Sequence, residues 1–148
     1  MEVLEAINTR WSIRKYKADP VDDKTLETVL EAARRAPSWH NSQCWRFIVV
    51  RDNDIKSRLA DTLIADPTIG EFNPAAKAIR TAPVVIAACA KTGVSGYSEG
   101  KPVTDKGVYW YMFDVALAMQ NLALAAHSLG LGTVLVGAFD AGEAASVL

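Results

Sequence analysis

Three polar side chains recur at every second position near the beginning of the chain, in the run Arg10-Trp11-Ser12-Ile13-Arg14. In an extended backbone, alternate side chains point to the same side, so Arg10, Ser12 and Arg14 would face one way together. Two guanidinium groups and a hydroxyl suit a ligand with several acceptor oxygens, such as a phosphate. A basic, solvated edge segment is the alternative, since alternating charge is common on exposed edges.

A second run, from Ala36 to Trp45, places the amides of Asn41 and Gln43 close to tryptophan rings. Amides beside aromatic rings suit a flat heteroaromatic ligand that carries hydrogen-bond donors and acceptors on its edge. Turn formation is the alternative role for such polar residues. Residues 10–14 suit a phosphate and residues 36–45 suit an aromatic ring. Taken together, the two runs indicate a flavin site.

Length and composition are those of a single domain spanning residues 1–148. Because 50% of the residues are hydrophobic and 22% are charged, the chain is not expected to be disordered. The formal net charge of −1 gives no attraction for nucleic acid or for an anionic membrane surface. Two distant cysteines, Cys44 and Cys89, cannot form a cysteine-rich metal site, and no metal is expected. Reduced thiols and a first segment without a signal-peptide pattern favour a cytoplasmic protein.

Apolar spacing and capping residues predict a mixture of helices and strands. Helices are predicted over 2–8, between Asp22 and Pro37, over 53–65, in a short stretch ending at 79, over 108–129 and from Asp140 onward. Strands are predicted over 45–51, 83–90 and 133–136, an extended segment over 10–17, and loops over 66–74 and 91–107. Because strands and helices do not alternate regularly, the expected fold class is a layered α+β fold.

The apolar segment from Val108 to Leu131 is long enough to be compared with a membrane span. It contains Asp114, Gln120 and His127, whose side chains are costly in lipid. A central helix of a soluble core, with its polar groups paired or facing an interface, is therefore the better interpretation.

The glycines that follow this helix have different predicted roles. Gly130-Leu131-Gly132 lies after a helix and before a strand, whereas a dinucleotide-binding fingerprint has the reverse order. Gly130 is therefore predicted to be a helix C-cap. Gly137 ends the predicted strand, where a bare backbone N–H can approach a ligand closely.

In order along the chain, three runs resemble motifs of the nitroreductase family of FMN-dependent oxidoreductases. Residues 10–14 resemble the family's opening Arg-x-Ser-x-Arg/Lys element. Residues 36–45 resemble its Pro-Ser-Ser-x-Asn-x-Gln-Pro-Trp element, and residues 130–137 resemble its later Gly-x-Gly strand. The resemblance extends over essentially the whole chain.

The resemblance implies a nitroreductase-like central mixed sheet flanked by helices, in an intertwined homodimer with two FMN sites where the subunits meet. Residue by residue, one subunit would hold the flavin through Arg10, Ser12 and Arg14. The other subunit would reach across with Pro37, Ser38, Trp39 and Asn41. Asn73 would contact the pyrimidine edge of the flavin, and Val136 and Gly137 would lie near its central ring.

The activity implied by the resemblance is a ping-pong hydride transfer. NADH or NADPH would reduce FMN and leave, and a nitroaromatic, quinone or related small-molecule acceptor would then be reduced in the same pocket. No side chain is expected to act as a catalytic group, because the flavin performs the redox step while the protein supplies position and electrostatics.

Three features depart from the family pattern, and two of them, Trp39 and the C-terminal segment, leave an alternative function open. Trp39 stands where the family has a small residue, and Cys44 stands where it has proline. The family's C-terminal segment, which closes the dimer and adds a basic residue near the phosphate, is expected to be lacking after Leu148. The alternative is a flavin-binding or regulatory protein with little turnover.

Overall fold

The computed structural model describes residues 1–65 and 73–148, which form six α-helices and four short strands. The helices are α1 (Val3–Thr9), α2 (Asp23–Arg34), α3 (Asn53–Asp61), α4 (Ala75–Thr81), α5 (Trp110–Ser128) and α6 (Ala141–Val147). The strands are β1 (Trp45–Val50), β2 (Val85–Ala90), β3 (Tyr97–Ser98) and β4 (Lys101–Pro102). This mixture confirms the α+β class. Most of the loop predicted over 66–74 lies outside the described residues.

The core forms where α2 packs along α5. Val29 and Ala33 of α2 are buried against Ala118 and Leu122 of α5, and Trp45 at the start of β1 joins this cluster. Alanines at the contact allow the two helices to approach closely. The two elements that flank the Ala36–Trp45 run are thereby fixed against α5.

The long helix α5 begins and ends near the predicted positions. At its end Gly130 has φ +81°, Leu131 N–H donates to Ala126 O and Gly130 N–H donates to His127 O, both at 2.9 Å. These two hydrogen bonds define a Schellman motif and confirm Gly130 as the C-cap glycine. Among the described residues no helix, α5 included, is long and apolar enough to cross a membrane.

Strands β1 and β2 form an antiparallel pair in which Trp45 lies opposite Ala90 and Val50 lies opposite Val85. The strands predicted over 45–51 and 83–90 are thus confirmed. The strand predicted over 133–136 is wrong, because only Thr133 pairs, in an isolated parallel bridge with Ser12. A run of β-branched residues forms a strand only where a neighbouring strand continues the pairing.

The loop predicted over 91–107 contains a hairpin instead of an irregular segment. Strands β3 and β4 are joined by Glu99 and Gly100, which have φ of 49° and 74°. Positive φ at both central residues is the type I′ geometry that matches the twist of a two-residue hairpin. At the base of the hairpin, Ser95 and Gly96 are buried.

Candidate functional site

The segment with the two arginines runs beside the residues that follow α5. Ile13 N–H donates to Thr133 O at 2.9 Å, and an ideal Cβ on Gly132 would lie 2.9 Å from Ile13 Cβ. Ile13 therefore points at the Gly132 backbone. Because successive side chains of an extended segment project to opposite sides, Ser12 and Arg14 project away from Gly132.

The arginines of this segment carry positive charge that is not neutralised locally. Arg10 has extended backbone angles and is half-buried, whereas Arg14 is exposed. Neither guanidinium forms an ion pair with any residue in the ranges 1–65 and 73–148. The Tyr16 hydroxyl donates to Ile13 O at 2.6 Å, and burial raises the pKa of Tyr16, an effect that Arg14 partly offsets. The segment can therefore offer two positive charges to an anion.

Asn73 lies next to the segment that carries Val136 and Gly137. Its side-chain amide donates to Ile64 O at 3.0 Å and to Ala138 O at 3.5 Å. Gly137 is exposed, and a Cβ added there would meet nothing within 4 Å, so its backbone is accessible to a ligand. Ser12 pairs with Thr133 and Asn73 contacts Ala138, so both border the stretch that carries Val136 and Gly137. We call this set the arginine group: Arg10, Ser12, Arg14, Asn73, Val136 and Gly137.

Pairing with Ala138 and Phe139 explains why α3 is shorter than predicted. The helix was expected to reach residue 65 but ends at Asp61. Leu63 instead forms an antiparallel bridge with Phe139, and Ile64 N–H donates to Ala138 O at 3.0 Å. Tertiary pairing thus replaces the last helical turn and fastens the chain just after Gly137.

The second run folds into a strained loop before β1. Within it, His40, Asn41 and Gln43 have φ of 44°, 54° and 46°, a left-handed conformation that non-glycine residues adopt at a cost in energy. Ser38 Oγ accepts from Gln43 N–H at 2.9 Å, and the Gln43 amide donates to Asn41 Oδ1 at 3.3 Å. We call the predicted ligand-contacting residues of this loop the tryptophan group: Pro37, Ser38, Trp39 and Asn41.

Asp114 of α5 holds this loop, although no sequence motif includes it. Asp114 is 1% exposed, and its Oδ2 accepts from Trp39 N–H at 3.1 Å and from the Ser95 hydroxyl at 2.6 Å. The Ser42 hydroxyl and the Cys44 thiol also approach Oδ2, at 3.4 and 3.9 Å. The available signal was a lone carboxylate within an apolar helix, which has to find donors elsewhere in the fold.

Aromatic rings of the loop and of α5 pack on one another next to this hydrogen-bonded contact. The rings of Trp39 and Trp110 meet edge to face at 4.9 Å with an interplanar angle of 69°, and Phe113 lies 6.0 Å from Trp110. A Cβ on Gly96 would lie 2.6 Å from Trp110 Cβ, so only glycine lets the hairpin base approach this closely. Trp39, α5 and the hairpin base therefore form one packed cluster.

The two groups are fastened near opposite ends of α5. Asp114 holds the tryptophan group near the beginning of the helix, whereas Thr9, the residue before Arg10, hydrogen-bonds His127 Nε2 at 2.8 Å near its end. At 1.5 Å per residue, these two anchors are about 20 Å apart along the helix axis. Within one chain, the residues next to Thr9 and the loop that carries Trp39 are therefore held at opposite ends of this helix.

Two surface grooves, of about 320 and 410 Å³, lie elsewhere on the chain. Neither groove is lined by a member of the arginine group or the tryptophan group.

Comparison with known proteins gives consistent matches. The model of the Nitroreductase family matches residues 7–148. A Methanothermobacter thermautotrophicus protein, assigned by name to the class NADH dehydrogenase/NAD(P)H nitroreductase, is 35% identical over 139 residues, which are 94% of this chain and 62% of that protein. The chain thus spans about three fifths of the length of this relative.

Solved structures share the fold. A nitroreductase family protein from Clostridium novyi NT has a TM-score of 0.82 at 30% identity, covering 99% of this chain and 75% of the other. A Desulfovibrio desulfuricans protein solved in complex with FMN has a TM-score of 0.74 at 30% identity, covering 99% and 73%.

Proposed function

Because the chain belongs to the nitroreductase family, we propose that it is an FMN-dependent oxidoreductase that uses NADH or NADPH to reduce nitroaromatic, quinone or related small-molecule acceptors. The observation that carries the proposal is the arginine group: two guanidinium groups that form no ion pair with any described residue lie on the segment that pairs with Thr133, four residues before the accessible Gly137 backbone. Bound FMN would supply the hydride chemistry.

The donor set of the arginine group fits the phosphate end of such a cofactor. Arg10 and Arg14 would neutralise a phosphate anion, and the Ser12 hydroxyl would donate a further hydrogen bond. Gly137, where a Cβ would meet nothing within 4 Å, would offer its backbone N–H as a donor toward the ring system. An elongated anionic ligand would thus receive charge from one segment and a backbone donor from another.

We propose that the site is completed by a second copy of the chain in an intertwined homodimer, in which the sheet is shared by the two protomers. Tyr109, Met112 and Phe113 are 65%, 59% and 60% exposed and lie on neighbouring positions of one surface at the start of α5. Large apolar side chains that are exposed together favour burial against a partner. Since the helix positions that hold Trp39 and Thr9 are about 20 Å apart along α5, a second copy would let the tryptophan group of one protomer meet the arginine group of the other.

The proposal is tested by titrating the purified protein with FMN and recording the flavin absorbance. We expect a bound flavin spectrum and, on anaerobic mixing with NADH or NADPH, rapid bleaching of the flavin band. A protein that stays colourless after FMN is added and removed would refute the proposed function. A protein that binds FMN without bleaching would instead be a flavin-binding or regulatory protein. The Trp39 ring, which packs on Trp110, favours this role because it would narrow the substrate pocket beside the flavin.

The arginine group is tested by Arg10→Ala. Removing one charged hydrogen-bond donor should raise the FMN dissociation constant about tenfold or more. The matched control is Lys15→Ala, which removes the same charge from the side of the segment occupied by Ile13. An equal effect of both substitutions would show that only the overall charge matters and would contradict the assigned role of Arg10.

A further inference from the structure

Asp114 is a positioning residue for the flavin site: we propose that its carboxylate holds the tryptophan group and the base of the β3–β4 hairpin in one arrangement, so that both can border the bound cofactor. The inference rests on the proposed function. The inference goes beyond the proposed function because Asp114 belongs to neither group and lies on a helix that the sequence motifs do not include.

The first argument is the convergence of donors on one atom. Oδ2 of Asp114 accepts from the main chain of Trp39 and from the hydroxyl of Ser95, residues that are far apart in sequence. Ser42 and Cys44 add two further donors from the end of the loop. A buried carboxylate with several donors is strongly held, because each charge-assisted hydrogen bond is stronger than a neutral one.

The second argument is the strain of the loop that Asp114 holds. His40, Asn41 and Gln43 all have positive φ, and backbone of this kind persists only where the surroundings determine it. Among the described residues, Asp114 is the buried charged group that contacts this loop. The carboxylate therefore stabilises a conformation that the loop would not adopt alone.

The third argument is the position of Trp110, one helical turn before Asp114. Its ring packs on Trp39, and its Cβ is close to the Gly96 backbone. The beginning of α5 thus presents a carboxylate and an indole to the same two partners, the loop and the hairpin base. A shift of either partner would move the ring of Trp39.

The test compares Asp114→Asn with a control that also neutralises a buried charge. Lys56 is 4% exposed and its ammonium donates to Ala82 O at 2.7 Å, away from both groups. Lys56→Met should lower the melting temperature without changing FMN affinity. Asp114→Asn should raise the FMN dissociation constant about tenfold or more, because only a small fraction of the molecules would then hold the loop in the arrangement that binds FMN.

A spectroscopic readout separates positioning from general stability. The edge-to-face pair of Trp39 and Trp110 should give a near-ultraviolet circular dichroism signal in the protein without FMN. We expect Asp114→Asn to diminish this signal. Lys56→Met should leave the signal unchanged even where its melting temperature equals that of Asp114→Asn. If Asp114→Asn does not fold, Ser95→Ala tests the inference instead, because it removes one donor to Asp114 Oδ2. Ser95→Ala should raise the FMN dissociation constant a few-fold.

The outcomes also separate this inference from the proposed function. A wild-type protein that binds no FMN overturns both. If the wild type binds FMN while Asp114→Asn and Ser95→Ala retain the same affinity and dichroism, the role of Asp114 is refuted and the proposed function stands. An equal loss of FMN affinity in Lys56→Met would likewise reduce Asp114 to a stability residue.

Discussion

The thiol of Cys44 has its chemistry set by its surroundings. It is 1% exposed, and its Sγ lies 3.9 Å from Oδ2 of Asp114. Burial is the main cause that raises the pKa of Cys44, and the negative charge of Asp114 raises it further. Since the thiolate is the reactive form, Cys44 is expected to be inert at neutral pH. Its replacement of the family's proline thus leaves a packed side chain rather than a reactive one.

The raised pKa of Cys44 predicts a loss of stability in alkaline solution. The folded protein keeps this proton at pH values where the unfolded chain has released it, so stability is full below the ordinary pKa of 9.0 and falls as pH rises above it. The melting temperature of the wild type should therefore fall more steeply above pH 9.0 than that of Cys44→Ala. A difference between the two proteins that does not depend on pH would contradict this prediction.

At the scale of elements, the arginine segment is positioned by the backbone of the stretch that follows α5. Gly132 allows this contact, because the Cβ, Cγ2 and Cγ1 atoms of Ile13 would lie 2.9, 2.9 and 3.0 Å from a Cβ added to Gly132. Ile13 is β-branched and cannot easily rotate away. The bridge between Ser12 and Thr133 thus requires a residue without a side chain at position 132.

Gly132→Ala should therefore disturb both stability and the arginine group. Overpacking of this kind typically costs about 1–3 kcal/mol, and the displaced segment should bind FMN more weakly. Urea unfolding and FMN titration measure the two effects. Gly137→Ala is the matched substitution, because a Cβ at Gly137 meets nothing within 4 Å and the free energy of unfolding should stay nearly unchanged. Equal stability of the two variants would show that the Ile13 contact is unimportant.

At the scale of the whole molecule, the exposed apolar surface and the separation of the two anchors on α5 both support the proposed homodimer. The tryptophan group and the arginine group are anchored at opposite ends of α5, and large apolar residues are exposed at the beginning of the same helix. A second copy would cover those residues and complete the site. Self-association and FMN binding should therefore be lost together.

This coupling is tested by Phe113→Glu. A carboxylate on a surface that becomes buried between protomers is costly, so the variant should sediment as a monomer while the wild type sediments as a dimer. The variant should also retain little FMN. Leu148→Glu, which changes a residue that is 42% exposed at the last position, is the control and should remain dimeric with FMN bound. A monomeric variant that keeps full FMN affinity would show that one chain holds a complete site.

Local signals in the sequence were sufficient for most elements. The caps at Asp22 and Asp140 and the Schellman glycine Gly130 were predictable because each satisfies backbone groups within a few residues of itself. The composition of the three runs was sufficient to recognise the family. The hairpin at Glu99 and Gly100 was missed because a glutamate with positive φ gives no recognisable turn signal.

By itself, the sequence determined the α+β class, the extent of the long helix and the family, because these depend on short-range periodicity and on residue type, and it predicted which side chains bind a flavin. Only the tertiary structure decided how those side chains are grouped, that 133–136 is not a strand, and that Asp114 ties Trp39 to Ser95. Strand pairing and the partners of a buried carboxylate depend on residues distant in sequence, and no local pattern encodes which of them will meet.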